Sequence, residues 1–305
     1  MKQIITLTCG QMTAKINASR GANCISLRHE GYGAKILREP NYEKFDNPYL
    51  YGMPILFPVN RIAGGKFTFE GREYPFPINE PNTGCHLHGI VHETPFEVVK
   101  QAENEAVFRL IVAEREGFPH GHTIELSYLL KETGLSITAA VTNHSAQNMP
   151  CFLGYHTTFR VPFVDGSNPK NIYVLADVSH LVERNMENYL PTGRILPDDE
   201  HTTEIQKGIF PALKLPMSRH YRSFGENRIQ LIDNEKSLKV VYKNSPDLAW
   251  RLFYNGNADE YICLEPQTCM VNCQNLDYDP AFSGFAFIAP GETKKYTSEI
   301  RLEAL

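Results

Sequence analysis

The stretch TIELSYLLKETGLSITAAV, residues 123–141, contains two alternating apolar runs separated by a turn. Apolar side chains recur at every second position from Ile124 to Leu130, and again from Leu135 to Val141. This period of two places the apolar side chains of a strand on one face, whereas a helix requires a period near 3.6 residues. Because a Glu-Thr-Gly turn joins the two runs, the stretch predicts a β-hairpin with one buried face.

Similar short runs recur along the chain, and helix signals are weak throughout. The further strands that we predict are Ile4–Cys9, Thr13–Ala18, Lys66–Phe69, Phe96–Ala102, Val107–Ala113, Leu238–Tyr242, Leu248–Tyr254, Tyr261–Leu264, Phe285–Ile288 and Lys295–Leu302. A barrel of βαβ units is disfavoured because the alternating helices are missing. The pattern therefore favours an all-β protein, a large antiparallel sandwich or barrel.

The 21 glycines and 20 prolines are spread over the whole chain, so no linker marks a domain boundary. We expect one domain over residues 1–305, with enough apolar material, 42% of the residues, to bury a large core. Two segments, 39–62 and 161–217, are predicted to be long connections. Loops of that length in a compact domain are usually functional or partly disordered.

Charge and cysteine content exclude several classes of function. The net charge is −5, and the lysines and arginines are scattered, so no basic surface for nucleic acid or membranes is predicted. The N-terminal MKQIITLTCGQM lacks the pattern of a signal peptide, and no apolar run is long enough to span a bilayer. We expect a cytoplasmic protein that is a monomer or homodimer, and we expect its seven cysteines to be reduced thiols.

Four segments interrupt the strand pattern with polar residues beside Gly, Pro and aromatic residues. They are residues 60–65 (NRIAGG), 82–89 (NTGCHLHG), 154–159 (GYHTTF) and 264–268 (LEPQT). Together they offer histidines, a carboxylate and an arginine, which can act as general acid, general base and donors to oxygen. Such a set suits proton transfer on a polyhydroxylated small molecule.

The order and spacing of these segments resemble the signature of the aldose 1-epimerases, also called galactose mutarotases. The matching segments are residues 60–67 (NRIAGGKF), 74–79 (YPFPIN), 87–89 (LHG), 155–159 (YHTTF), 191–193 (PTG), 265–267 (EPQ), 274–275 (QN) and 290–292 (PGE). They extend over nearly the whole chain, and the combination is specific although each piece is short.

The resemblance implies a single-domain, mutarotase-like β-sandwich of the supersandwich type that binds a sugar on its concave face. It implies that Glu265 is the base that takes the proton from the C1 hydroxyl and that His156 is the acid that protonates the ring oxygen. It also implies that Arg61 and His88 bind sugar oxygens. No metal and no cofactor is expected.

The sequence departs from the family pattern at two places. The family places a sugar-binding aspartate in the segment that corresponds to Ser218–Phe224, and this segment contains no aspartate. We therefore expect His220, Tyr221 or Arg222 to take over, and an arginine there would suit an acidic or phosphorylated sugar. His86 is expected to share or replace the role of His88.

Two further residues, Asn60 and Gln267, complete the predicted substrate-binding set. The residues themselves also allow other roles and other functions. The histidines could be structural, Glu265 could pair with Arg61, and residues 86, 88 and 92 could ligate a metal. The activity could be the epimerisation of a modified sugar such as a hexose 6-phosphate, or the protein could bind carbohydrate without catalysis.

Overall fold

The computed structural model describes residues 3–41 and 47–305. It is built almost entirely from strands, which run in chain order as follows: β1 (Ile4–Cys9), β2 (Met12–Asn17), β3 (Asn23–His29), β4 (Ala34–Lys35), β5 (Ile55–Leu56), β6 (Arg61–Ala63), β7 (Lys66–Phe69), β8 (Arg72–Pro75), β9 (Cys85–Leu87), β10 (Glu97–Gln101), β11 (Glu105–Val112), β12 (His122–Lys131), β13 (Gly134–Asn143), β14 (Met149–Pro150), β15 (Gly154–Tyr155), β16 (Thr158–Arg160), β17 (Ile172–Ala176), β18 (Val178–Ser179), β19 (Leu181–Arg184), β20 (Pro191–Leu196), β21 (Phe210–Pro211), β22 (Ser218–Ser223), β23 (Arg228–Asp233), β24 (Leu238–Asn244), β25 (Trp250–Tyr254), β26 (Tyr261–Gln267), β27 (Phe287–Ile288) and β28 (Thr293–Ala304).

Helices among the described residues are short. The α-helices are α1 (Glu200–Lys207) and α2 (Pro280–Ser283), and single 3-10 turns lie at Pro48–Leu50, Val91–Glu93, Pro169–Asn171 and Cys273–Asn275. No helix in the described part of the chain is long and apolar enough to cross a membrane.

The hairpin predicted from residues 123–141 is present as β12 and β13, with Leu130 opposite Leu135. It lies within a nine-stranded sheet of order β10-β11-β12-β13-β28-β24-β23-β17-β21. Its apolar side chains, including Leu126 and Ile137, are buried. The antiparallel all-β fold is thereby confirmed.

A second sheet carries the polar segments of the sequence. Its order is β18-β22-β25-β26-β15-β5, with β16 also paired to β26. The two sheets pack through Tyr242 of β24, whose ring lies 5.5 Å from that of Phe159. Its hydroxyl lies 2.9 Å from that of Thr157. The other face of the second sheet points away from this core, so it can accommodate polar side chains.

The prediction that residues 161–217 form a long connection is wrong. This segment holds strands β17 to β21 and helix α1. Several of these elements have only two to five residues, too short for a clear period of two. The segment 39–62 is a connection with short elements, of which residues 42–46 lie outside the described part. The single-domain organisation stays a prediction.

Gly89 fixes the backbone next to His88. Its φ of +63° is left-handed, and a Cβ at this position would lie 2.1 Å from the carbonyl oxygen of Phe57. Gly64 has nearly the same φ, +61°, but no atom lies within 4 Å of the corresponding Cβ position. Alanine substitutions at the two positions therefore separate the effect of backbone strain from that of a steric clash.

We expect Gly64→Ala to lower the free energy of unfolding by about 1–2 kcal/mol, the cost of a left-handed alanine. Gly89→Ala should lower it by at least about 2 kcal/mol more, because the Phe57 carbonyl must also move. Urea denaturation followed by tryptophan fluorescence measures both. Equal effects would contradict the close packing at Gly89.

Candidate active site

One face of the second sheet, here called the site face, carries His156, His220 and Glu265. The opposite face, the core face, packs against the nine-stranded sheet. Across neighbouring strands His220 lies opposite Leu252, and Leu252 lies opposite Glu265. The pairings Gly154 with Gln267 and Thr158 with Cys263 continue the register. Because directly opposed residues point to the same side of a sheet, His156 falls beside Glu265 on the site face.

His156 and Glu265 are in contact and buried. Nε2 of His156 lies 3.2 Å from Oε1 of Glu265, and the two side chains are 8% and 0% exposed. The contact lies within ion-pair range but lacks the alignment of a hydrogen bond, so no described residue donates to Oε1. A buried carboxyl oxygen without a donor is rare, and it is therefore a candidate for contact with a ligand.

A relay of amides fixes the other carboxyl oxygen. Nε2 of Gln267 donates to Oε2 of Glu265 over 3.2 Å, and Nδ2 of Asn60 donates to Oε1 of Gln267 over 3.2 Å. All three side chains are buried. The relay orients the carboxyl so that Oε1, and not Oε2, points toward His156.

His88 is held in one tautomer by backbone contacts. The backbone N–H of Asn60 donates to Nδ1 of His88, and the backbone N–H of His88 donates to the carbonyl oxygen of Asn60. Both residues have a left-handed φ of 61°, a conformation that is often found at functional sites. Burial keeps the pKa of His88 well below its usual value. The neutral ring therefore carries its proton on Nε2 and can donate it to a ligand oxygen.

Arg61 is paired with a carboxylate, but not with Glu265. Its Nε and Nη2 donate to Glu80 over 2.6 and 2.7 Å, and its guanidinium lies 4.7 Å from the centre of the Tyr189 ring. Burial works against ionisation of Glu80, but the bonds from Arg61 and Thr83 outweigh it and lower its pKa. Arg61 thus contributes a guanidinium whose orientation is fixed by Glu80 and whose charge that carboxylate partly compensates.

Burial shifts the pKa values of the central pair in opposite directions. It raises the pKa of Glu265 to about 8, although the bond from Gln267 and the charges of Arg184 and Arg61 oppose the shift. It lowers the pKa of His156 to about 3. Desolvation penalises the charged form of each group, which explains both directions. Between these values the pair holds one proton.

Aromatic residues cover the pair. The Tyr49 ring lies 4.7 Å from that of His88 and 5.9 Å from that of His156. An open cleft of about 580 Å³ adjoins this cover and is lined by Leu50, Tyr189, Ser218 and Tyr254, among others. Ser218 and Tyr254 are opposed residues on the site face of the second sheet, so the cleft opens beside that face.

The structure does not bring every predicted residue into this group. Tyr221 lies on the core face of β22, fully buried, with its ring 5.5 Å from that of Phe253. Nδ1 of His86 donates to the carbonyl oxygen of Pro77, and its ring packs on Phe76. Arg222 is on the site face, but its guanidinium lies over the Phe282 ring. Asn60, Arg61, His88, His156, Glu265 and Gln267 do come together.

Sequence reasoning missed Arg184 and Tyr49. Both lie in segments that the sequence predicts to be long connections, 39–62 and 161–217. No strand pattern there indicates which side chains point toward the site. Arg184 is 9% exposed, and burial lowers its pKa to about 10, so it remains charged at neutral pH. The positions of both residues depend on contacts between distant segments, which the local pattern does not contain.

His156, Cys263 and Glu265 have potential metal-ligand atoms within 4.8 Å of one another. Burial raises the pKa of the Cys263 thiol well above its usual value, which opposes the thiolate that a metal would need. The expectation of a site without metal or cofactor stays a prediction.

Comparison with known proteins identifies the family to which the chain belongs. The family model for aldose 1-epimerase matches residues 3–301. The chain belongs to the aldose 1-epimerase family. It is therefore an enzyme of the isomerase class, and the resemblance inferred from its motifs is confirmed.

Relatives of this aldose 1-epimerase family member are distant in sequence. The uncharacterized protein YihR of Escherichia coli K12 is 22% identical over 293 residues, which cover 91% of this chain and 87% of YihR. The galactose mutarotase of Mus musculus is 27% identical over 289 residues, which cover 82% of this chain and 78% of the mouse protein.

Solved structures of family members have the same fold. A galactose mutarotase-like protein from Clostridium acetobutylicum superposes with a TM-score of 0.94 at 28% identity, covering 100% of this chain and 96% of the other. A putative aldose 1-epimerase from E. coli K12 gives a TM-score of 0.83 at 17% identity, with 100% of both chains covered. At 17% identity, the similarity to the E. coli protein shows only that the two chains share a fold.

Proposed function

We propose that this protein interconverts the α and β anomers of a free aldose, with His156 and Glu265 as the acid/base pair. The observation that carries the proposal is their 3.2 Å contact. The C1 hydroxyl and the ring oxygen are bonded to the same carbon, so an acid and a base that serve both must lie close together. Family membership supports a reaction of this type.

The reaction is balanced by one proton on the pair. Glu265 takes the proton of the C1 hydroxyl, His156 gives a proton to the ring oxygen, and the C1–O5 bond breaks to leave an open-chain aldehyde. After rotation about C1–C2, the reverse transfers close the other anomer. The pair thus returns to its starting state without any co-reactant.

The surrounding residues suit the charge changes of ring opening. Nε2–H of His88 can donate to a sugar oxygen, and the cation of Arg61 can stabilise negative charge that develops on the substrate. The Gln267 relay keeps Oε1 of Glu265 free for the proton. Burial favours the neutral arrangement of the pair, in which the proton is on Glu265. The charges of Arg184 and Arg61 favour the carboxylate of Glu265, and the bound sugar must supply the rest of the preference for a proton on His156.

Polarimetry on freshly dissolved α-D-glucose, α-D-galactose and other aldoses tests the proposal. The wild type should accelerate mutarotation of at least one aldose. Glu265→Gln and His156→Asn should each lose roughly 10²–10⁴-fold of that acceleration, the contribution that one acid/base group typically makes.

Matched controls are Glu204→Gln and His144→Asn, which alter a carboxylate bonded to Lys214 and a histidine bonded to Thr123, both outside the site. They should keep wild-type rates. Sugar binding without acceleration would instead favour a carbohydrate-binding protein.

The pH dependence of kcat/KM follows from the raised pKa of Glu265. As pH rises through about 8, Glu265 loses its proton while His156 is already neutral, so the pair has no proton left to give. We expect kcat/KM to be constant near neutrality and to fall above about pH 8. This ratio reports the groups of the free enzyme.

Gln267→Met should move that fall to higher pH, because the bond from Gln267 lowers the pKa of Glu265. Gln206→Met, whose amide bonds to Val178 and Asp198 instead, is the control and should leave the profile unchanged. A profile without an alkaline limb, or one that Gln267→Met leaves in place, would count against Glu265 as the titrating group.

A further inference from the structure

A buried arginine without a full set of partners lies beside the acid/base pair. Nη2 of Arg184 donates to the carbonyl oxygen and the hydroxyl of Ser218, but Nη1 has no hydrogen-bond partner in the described part of the chain. Only 9% of the residue is exposed. Because buried donors in folded proteins are nearly always bonded, this N–H is available to a ligand.

Two further buried side chains on the site face, His220 and Trp250, lack hydrogen-bond partners among the described residues, and the charge of Arg184 acts on His220. His220 and Trp250 are fully buried, their ring centres lie 5.2 Å apart, and none of their ring nitrogens is hydrogen-bonded to a described residue. In the sheet register His220 shares a row with Glu265, and Trp250 shares one with Gln267. His220 is two strands away from Glu265, or roughly 10 Å. Both rings therefore face the same side as the pair.

The charge of Arg184 differs from those of its neighbours because no carboxylate bond compensates it. Arg61 is bonded to Glu80, and Arg219 is bonded to Asp199. Within the described part of the chain, the hydrogen bonds of Arg184 go only to Ser218. Burial and the charge of Arg184 hold the pKa of His220 well below its usual value, so His220 is neutral. The charge of a Glu265 carboxylate would act on Arg184, but burial raises the pKa of Glu265 to about 8, so in the free enzyme the buried cation is left without compensation at neutral pH. Such a cation is costly, and a ligand anion would offset that cost.

We infer that Arg184, His220 and Trp250 form a subsite for an anionic group of the sugar, so that the preferred substrate is an acidic aldose. The inference rests on the proposed function and names its substrate class. The shared chemistry is an anionic oxygen, from either a carboxylate or a phosphate. A neutral hydroxyl could accept the same N–H bonds but would leave the arginine charge uncompensated.

Two features of the chain are consistent with this subsite. The segment Ser218–Phe224 contains no acidic residue, so it presents no like charge to an anion. The open cleft is lined by Ser218, the residue to which Arg184 is bonded, so the cleft lies next to the residue that holds this arginine.

Paired sugars that differ only at C6 test the inference. Mutarotation of D-glucose is compared with that of D-glucuronate and of D-glucose 6-phosphate, and D-galactose with D-galacturonate, by NMR of the anomeric protons. For at least one acidic sugar, kcat/KM should exceed that of its neutral counterpart by roughly tenfold or more. The carboxylate and phosphate arms show which anion the site accepts.

Arg184→Gln should reduce the acidic-to-neutral ratio of kcat/KM at least tenfold, and Arg184→Lys should retain part of it. Arg219→Gln removes an arginine from the opposite face of β22 and should leave the ratio unchanged. Titration calorimetry of the wild type with the same sugars adds a readout that depends neither on folding of the variants nor on turnover, and an acidic sugar should bind more tightly.

A wild type that prefers the neutral sugars would overturn the subsite, as would equal effects of Arg184→Gln and Arg219→Gln on the ratio. If neutral sugars alone are accelerated, the mutarotase proposal stands and the subsite fails. If no sugar is accelerated, the mutarotase proposal fails, and the calorimetric preference for acidic or neutral sugar decides for or against the subsite.

Discussion

The contact between His156 and Glu265 depends on the register of two adjacent strands. Pairing of β26 with β15 and β16 places an imidazole beside a carboxyl, and both side chains are buried. That burial displaces both pKa values toward the neutral forms. A slip of one residue would turn Glu265 into the core, so the whole sheet must hold this register.

The rest of the fold serves this constraint in two ways. The nine-stranded sheet covers the opposite face, where Tyr242 contacts Phe159 and Thr157 across the two layers. The short ribbon of β6 and β9 brings Asn60 and His88 over the site face, where backbone and amide bonds hold the carboxyl and one imidazole in fixed orientations. A large scaffold is thus used to orient a few side chains.

Much of this could be predicted from the sequence. The alternation at residues 123–141 gave the hairpin, and the motifs around Arg61, His88, His156 and Glu265 indicated both the family and the residues that meet in the site. These motifs were informative through their residue types, order and spacing and not through alternation, because the strands beside His88 and His156 have only two or three residues.

Other parts depend on contacts that a local pattern does not contain. In the segment Ser218–Ser223, alternation shows that His220 and Tyr221 point to opposite faces, but only the pairing with β25 shows which of them faces the site. Arg184 lies in a four-residue strand, and its position depends on Ser218, 34 residues away.

A crystal structure of the Glu265→Gln variant with its preferred aldose would show whether the sugar binds against His156 and position 265. We predict that the C1 hydroxyl lies within hydrogen-bonding distance of the side chain at position 265, and that the ring oxygen lies within hydrogen-bonding distance of Nε2 of His156. A sugar bound with C1 turned away from these two side chains, or bound outside the site face of the second sheet, would contradict it.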